Sequence, residues 1–284
     1  AYANPSFQLG EIPTEYDWYT NNPYAEWYAN SVRVGKGPTY EHHIKTYGKD
    51  FPYERFTDMW KAENWDPQQW ASLFKQAGAK YVVLVTKHHD GFCLFPSKYT
   101  DFSTTSRGPM RNITGELTQA VRDAQMKMGL YYSGYYNWTF YDEPVFSKAN
   151  CRSYCPPTYA YADFVYSQCK ELIDTAVREF GGIDVLICNA GISMRAIFDD
   201  VELDVLHKLM DVNFWGAVYC CKYALPYLQA SKGSVVGISS VAGLHGLPGR
   251  TGYSASKYAM TGFLETLRIE NLKKGLHVMI ACPG

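Results

Sequence analysis

Apolar positions along this chain fall into two rhythms that alternate from residue 66 onward. Asp66-Pro67 opens a helix, with proline at its first turn, that carries Trp70, Leu73 and Phe74 and ends at Gly78. Residues 80–86 form an uninterrupted apolar run of strand length, and 116–125 return to helical spacing. The same exchange repeats as strand 127–133, helix 160–180 closed by Gly181-Gly182, and strand 183–188. Helices near 202–212 and 213–230, strand 234–239, helix 253–274 and strand 277–282 complete it. Continuous apolar strands separated by amphipathic helices predict an α/β fold with a parallel sheet of about five strands. Right-handed crossovers between neighbouring strands would put every helix on one face, so the other face requires barrel-like curling, cover from residues 1–55, or a partner chain. Those first residues hold Pro, Asn, Gly and aromatics with no period, which predicts loops and short helices.

In such folds ligands meet the C-terminal ends of the strands. Lys87–Asp90, Tyr132–Gly134, Asn189–Gly191, Ser239–Gly243 and Pro283-Gly284 all fall there. Charge narrows the ligand class: a net −1 over 284 residues gives no electrostatic footprint for nucleic acid or an anionic membrane. The longest apolar runs, such as Tyr81–Val85, are far short of the ~20 residues that span a bilayer. No leader segment is visible, and Ala1 and Gly284 both read as cut ends. The eight cysteines form no zinc-like pair of CxxC motifs. Cys188 and Cys282 fall in strands and read as small buried apolar residues. The spacing of Cys151 and Cys155 permits a disulfide without requiring one. Asn112-Ile-Thr and Asn137-Trp-Thr have the form of glycosylation sequons. Of 24 tyrosines, 19 precede residue 173, as do six of the seven tryptophans. That bias suits a carbohydrate site built on ring faces, or an aromatic core.

Two groups of motifs sharpen this picture. The run from Ala77 to Phe102, which includes Thr86-Lys-His-His-Asp-Gly91, closely resembles the α-L-fucosidases of glycoside hydrolase family 29. Tyr24-Ala-Glu-Trp-Tyr28, His43-Ile-Lys-Thr-Tyr-Gly48 and Gly129-Leu-Tyr-Tyr-Ser-Gly134 carry the same likeness, which covers roughly residues 5–172. The resemblance implies part of a (β/α)8 barrel and a retaining mechanism run by a carboxylate pair. It also implies that His88 and His89 bind fucose hydroxyls, that Glu26 and Trp27 reach in from the first long loop, and that Tyr132 lines the pocket. Metal binding is not expected, because nothing at ligand spacing joins the two histidines. Laid on Ile183-Asp-Val-Leu186, the family's nucleophile falls at Asn189, and an amide cannot form the covalent glycosyl intermediate.

From about Thr175 the chain closely resembles the short-chain dehydrogenase/reductases. The marks are Asn189-Ala190-Gly191, Asn213 in Asp-Val-Asn-Phe-Trp-Gly, Ser240, Tyr253-Ser-Ala-Ser-Lys257, and Pro283-Gly284, in the family's order. This resemblance implies part of a doubly wound Rossmann fold, NAD or NADP as cofactor, and a catalytic set of Ser240, Tyr253, Lys257 and Asn213. Tyr253 and Lys257 share a helix face at i and i+4, and an ammonium beside a phenol favours the phenolate a general acid/base needs. Ser240 would hold the reacting oxygen and Asn213 would support a proton relay. Lys257 would also bind the nicotinamide ribose, with Asn189, Ala190, Gly191, Pro283 and Gly284 beside the cofactor. The family's Gly-rich pyrophosphate turn has no counterpart, since Gly35-Lys-Gly37 is a lone loop pair.

The chain therefore reads as a truncated fusion, a fucosidase-like segment over 1–172 and a reductase-like segment over 173–284, without efficient turnover. The surviving chemistry favours NAD(P)-dependent carbonyl/alcohol hydride transfer, and the alternative is a fucoside-binding module lacking nucleophile and acid/base. A small-molecule carbonyl, alcohol or fucoside is the expected partner, and the reductase likeness adds a homo-oligomer. The compartment stays open: one likeness implies an exported or lysosomal protein and the other a cytoplasmic one.

Overall fold

The computed structural model describes residues 19–20, 22, 24–134, 136–140, 143–146 and 159–284. The Cys151–Cys155 pairing lies outside them. The chain divides into two compact units, Ala1–Pro156 and Pro157–Gly284.

In the first unit, β1 (Tyr81–Lys87) runs parallel to β2 (Lys127–Tyr132), in register from Tyr81 opposite Lys127 to Val85 opposite Tyr131. The ladder then slips, so that Lys87 stands opposite Tyr132. Two helices cover one face. Pro67–Gln76 starts where the Asp66 carboxylate accepts from the Gln69 N–H, and Ile113–Asp123 where the Asn112 side chain accepts from Gly115 N–H. Ala71, Leu117, Ala120 and Val121 pack there against Val82, Leu84 and Met128. The first helix turns Ala71 and Phe74 inward and leaves Trp70 and Leu73 exposed, because a small residue lets it sit close to its neighbour. Alternate strand residues Tyr81, Val83 and Val85 are exposed on the other face. The expected short helices precede this sheet, at Tyr28–Arg33, Pro38–Tyr47 and Arg55–Met59. Fully buried Asn30 clamps the later loop: its amide donates to Val145 O at 2.7 Å and its oxygen accepts from Val145 N–H at 2.7 Å.

In the second unit, β3 (Val185–Cys188), β4 (Ser234–Ile238) and β5 (His277–Ala281) form a parallel sheet in the order β3-β4-β5. Helices Tyr159–Phe180, Gly216–Ala230 and Thr251–Asn271 supply the core with Ile173, Cys221, Ala224, Leu228, Met260 and Leu264 against Leu186, Cys188 and Val235. Val185, Ile187 and Met279 are exposed on the opposite face. The two helices expected near 202–230 meet without a loop: Leu203–Met210 passes through a single π-helical turn, Asp211–Trp215, into Gly216–Ala230. Cys188 is buried as expected, whereas Cys282 falls past the end of β5 and is half-buried.

The single sheet of about five strands is not what forms. Among the described residues there is a two-stranded sheet, β1-β2, and a three-stranded one, β3-β4-β5. The reason lies in the cores: each sheet is seated on its own helices through its own hydrophobic cluster, so each register is set locally.

Candidate functional site

The sugar-binding candidates gather beyond the C-terminal end of β1. His88 Nδ1 lies 4.0 Å from the Glu26 carboxylate and makes no hydrogen bond. The His88 and His89 rings meet edge to face with centroids 4.2 Å apart. Trp27 stands at 5.8 Å from His89, Tyr136 at 5.0 Å and Trp138 at 6.1 Å, forming an aromatic wall around that imidazole. Trp138 fixes the wall by donating its indole N–H to Glu26 O at 2.6 Å and its backbone N–H to His89 O at 2.9 Å. Ser133 Oγ and His89 Nδ1 share a hydrogen bond of 3.2 Å.

Behind the histidines the Lys87 side chain is almost completely buried. Its ammonium donates to Ser133 O at 2.7 Å and to Tyr136 O at 3.4 Å, and lies 4.9 Å from the Tyr132 ring centroid. Tyr132 thus meets Lys87, and Tyr131, the next residue on the opposite side of the strand, stacks on His88 at 5.9 Å. Burial pushes the His89 imidazole down to about 3, with the His88 and Lys87 charges adding to the effect. Burial also lowers His88, overcoming the opposing pull of Glu26 and Asp90. Both rings are therefore neutral near pH 7, each with one N–H donor and one acceptor nitrogen, which is what hydroxyl recognition requires. Tyr53 donates to the buried Asp90 carboxylate at 3.4 Å, and burial followed by that carboxylate raises its phenol well above the usual range.

Lys87 and Ser133 lie in strand-end segments the sequence marked, though without a role, whereas Tyr136 and Trp138 were not among the sequence candidates. The signal near Tyr136 and Trp138 was the Asn137-Trp-Thr triplet, and it carries a structural role. Asn137 is fully buried, with its oxygen accepting from Thr139 N–H at 3.0 Å and Thr139 Oγ1 at 2.7 Å. Asn112, in the other triplet, caps a helix.

In the second unit the candidates gather at the C-terminal ends of β3, β4 and β5. Lys257 is buried, and burial lowers its ammonium below the usual lysine range. Its Nζ donates to Ile238 O at 2.8 Å and lies 5.8 Å from the Tyr253 ring centroid. Asn213 sits in the π-helical turn, a local widening that re-aims a side chain. Its oxygen accepts from Ile192 N–H at 2.7 Å, and its amide donates to Ile192 O and to Ser256 Oγ, each at 2.9 Å. Gly191 joins the two: a Cβ there would stand 3.2 Å from Lys257 Nζ and 3.5 Å from Asn213 Oδ1. Asn189 and Ala190 are exposed just before it. Ser240 Oγ accepts from Ala242 N–H at 3.2 Å, which leaves its O–H to donate. Pro283 O accepts from Val241 N–H at 3.2 Å, placing the Pro283-Gly284 end beside the loop that follows Ser240. Ser256, inside the Tyr253-Ser-Ala-Ser-Lys257 motif, was given no role in the sequence, and here it accepts from the Asn213 amide.

The sequence profile of the alpha-L-fucosidase family matches residues 2–181, more than half of the chain. The chain belongs to the alpha-L-fucosidase family. Against the Dictyostelium discoideum alpha-L-fucosidase it is 33% identical over 162 residues, covering 55% of this chain and 34% of that protein. A solved Thermotoga maritima alpha-fucosidase, in complex with a mechanism-based inhibitor, aligns with a TM-score of 0.62 and 35% identity, over 94% of this chain and 62% of that one. This fucosidase-family chain also carries a second likeness, because the short chain dehydrogenase profile matches residues 159–284. The 11-beta-hydroxysteroid dehydrogenase-like 2 of Arabidopsis thaliana is 42% identical over 117 residues, 41% of this chain and 38% of that protein. The chain thus joins a fucosidase-like region to a reductase-like one, and spans under two fifths of the length of these two curated relatives. Among the described residues no helix is long and apolar enough to cross a membrane, and no group of three or more His, Cys, Asp or Glu is placed to hold a metal ion.

Proposed function

We propose that the chain is a fusion, with segments 1–172 and 173–284, that turns over neither a fucoside nor a carbonyl efficiently, and whose surviving chemistry is NAD(P)-dependent carbonyl/alcohol hydride transfer. The observation that carries the reading is the convergence of Lys257, Asn213 and Gly191, with Tyr253 beside the lysine. The absence of a Cβ at Gly191 keeps open the space in front of Lys257 Nζ and Asn213 Oδ1, which fits a cofactor ribose approaching there. Asn189, Ala190, Gly191 and Lys257 would hold that part of NAD or NADP, with Pro283 and Gly284 at its edge. The bound nicotinamide would supply or take the hydride. Ser240 would donate its O–H to the substrate oxygen, Tyr253 would move the proton at that same oxygen, and Lys257 would hold the tyrosine in a cationic setting.

Two observations support weak turnover. Asn189 stands where the fucosidase likeness requires a carboxylate nucleophile. The Gly-rich pyrophosphate turn has no counterpart in the sequence, and the lone pair Gly35-Lys-Gly37 does not supply one: Gly37 has φ of +93°, and a Cβ there would lie 2.7 Å from Thr20 Cβ. The test is titration with NADPH and NADH, followed by tryptophan fluorescence. Quenching that Lys257→Met removes is expected, together with carbonyl reduction that is slow in the wild type. No quenching by either nucleotide, or brisk carbonyl reduction, would overturn the reading.

The alternative reading, a fucoside-binding module, is favoured by His88 Nδ1, a buried ring nitrogen with no hydrogen bond, beside a neutral His89 and an aromatic wall. It predicts a rise in melting temperature with L-fucose and no release of chromophore from an aryl α-L-fucoside. Absence of any fucose-induced shift would count against it.

A further inference from the structure

Arg250 precedes Tyr253 by one helical turn. It is the N-cap of the Thr251–Asn271 helix, where its side chain caps nothing and its charge meets the positive end of the helix dipole. Its guanidinium carbon lies 5.8 Å from the Tyr253 ring centroid, and Lys257 Nζ lies 5.8 Å from the same point. Two cations therefore lie against the ring that carries the reacting hydroxyl.

Their surroundings differ. Lys257 is buried and committed to Ile238 O, beside Gly191. Arg250 is half-buried and reaches the loop after β3, donating through Nη1 to Ser193 Oγ, two residues past Gly191. That loop is held against the helix entrance, since Ala196 N–H donates to Gly249 O at 3.0 Å. Among the described residues no carboxylate lies within ion-pair distance of the Arg250 guanidinium. The bond to Ser193 uses one of its five N–H donors and leaves the Nε–Nη2 edge, the planar fork that matches the two oxygens of a carboxylate.

We propose that this site takes carbonyl and alcohol substrates that also bear a carboxylate, bound by Arg250 and Ser193 while Ser240 and Tyr253 hold the reacting oxygen. The proposal rests on the hydride-transfer reading and adds to it the class of substrate. The guanidinium stands over the ring whose hydroxyl meets the reacting oxygen, so a short aliphatic chain between the two substrate groups spans the site. The carboxylate is bound and not transformed. Were Arg250 only a staple between the loop and the helix, its removal would lower stability and treat charged and neutral compounds alike.

The test adds γ-hydroxybutyrate or n-butanol to the full chain, with and without NADPH, and follows the Arg250 Nε–H resonance by NMR. The carboxylate compound should shift that resonance in both conditions, and n-butanol should leave it in place. Reduction by NADPH then compares succinate semialdehyde with butyraldehyde. The ratio of kcat/KM should favour the semialdehyde by about tenfold or more, the worth of one charge-assisted hydrogen bond. Arg250→Gln should remove that preference while NADPH still quenches tryptophan fluorescence. An Arg250 resonance unmoved by γ-hydroxybutyrate or moved equally by n-butanol, equal kcat/KM for the two aldehydes, or a preference that survives in Arg250→Gln would overturn the proposal. Quenching by neither nucleotide, beside a carboxylate-specific Arg250 shift, would overturn the hydride-transfer reading and leave the carboxylate site standing. The wild-type shift decides this even where the glutamine variant folds poorly.

Discussion

Asn213 is the side chain on which the geometry of the second site depends most, and truncating it gives a quantitative prediction. Asn213 is 1% exposed and holds both backbone groups of Ile192, the residue that follows Gly191. Asn213→Ala removes an acceptor from Ile192 N–H and a donor from Ile192 O. An unmet buried backbone group costs about 1–3 kcal/mol, and Ile192 is half-buried, so water recovers part of it. The loss should be about 2–4 kcal/mol. Asn213→Asp is the sharper probe. It keeps the acceptor for Ile192 N–H, but sets its second oxygen against Ile192 O and against Ser256 Oγ, whose own proton is committed to Tyr253 O at 2.8 Å. A buried carboxylate facing two acceptors should cost at least as much as the alanine, despite its near-identical shape. The assay is urea unfolding together with hydrogen exchange at Ile192, whose protection should fall about 30-fold or more for a 2 kcal/mol loss. An Asp variant as stable as the wild type, or an unchanged Ile192 exchange rate in both variants, would refute the reasoning.

Other outcomes follow from the same geometry. His89, at about 3 in the folded chain against an ordinary 6.5, binds its proton less readily when folded. Its stabilising contribution is therefore complete above pH ~6.5 and is lost as pH falls toward 3, and NMR titration of the ring should show no protonation between pH 5 and 7. Gly91→Ala should cost about 2 kcal/mol or more in thermal or urea unfolding, because φ is +83° and the new Cβ would lie 2.4 Å from Asn137 Oδ1. Gly237→Ala drives a Cβ to 2.1 Å from Leu264 Cδ1 and should cost about 1–3 kcal/mol; adding Leu264→Ala should cost less than the sum of the two single changes.

Periodicity carried the elements well: all five strands and the helices between them lie within a few residues of where the apolar pattern put them. That legibility has a local cause, since strand and helix differ in the spacing of residues that must face a core. The candidate residues were named for another reason, because the motifs around His88-His89 and Tyr253-Ser-Ala-Ser-Lys257 carry the two family resemblances, and spacing adds only that they fall at a strand end and on one helix face. The aromatic wall of Tyr136 and Trp138 was not legible, nor was the Ser256 bond to Asn213, because these contacts join residues 43 to 112 positions apart. The π-helical turn at Asn213 was equally invisible, since one added residue in a helical turn leaves the apolar pattern almost unchanged.

The sequence by itself determined that this chain is α/β, that it joins two family likenesses, and that an amide occupies position 189. Tertiary structure alone decided that the strands divide into a pair and a triplet. Strand pairing is a contest between edges that are nearly alike in sequence, and the winner is set by which helices each strand can bury its side chains against. It also decided that His88 keeps an unbonded ring nitrogen and that Lys87 is enclosed behind it. Burial and partner are properties of the space around a side chain, and that space is filled by residues from distant parts of the chain.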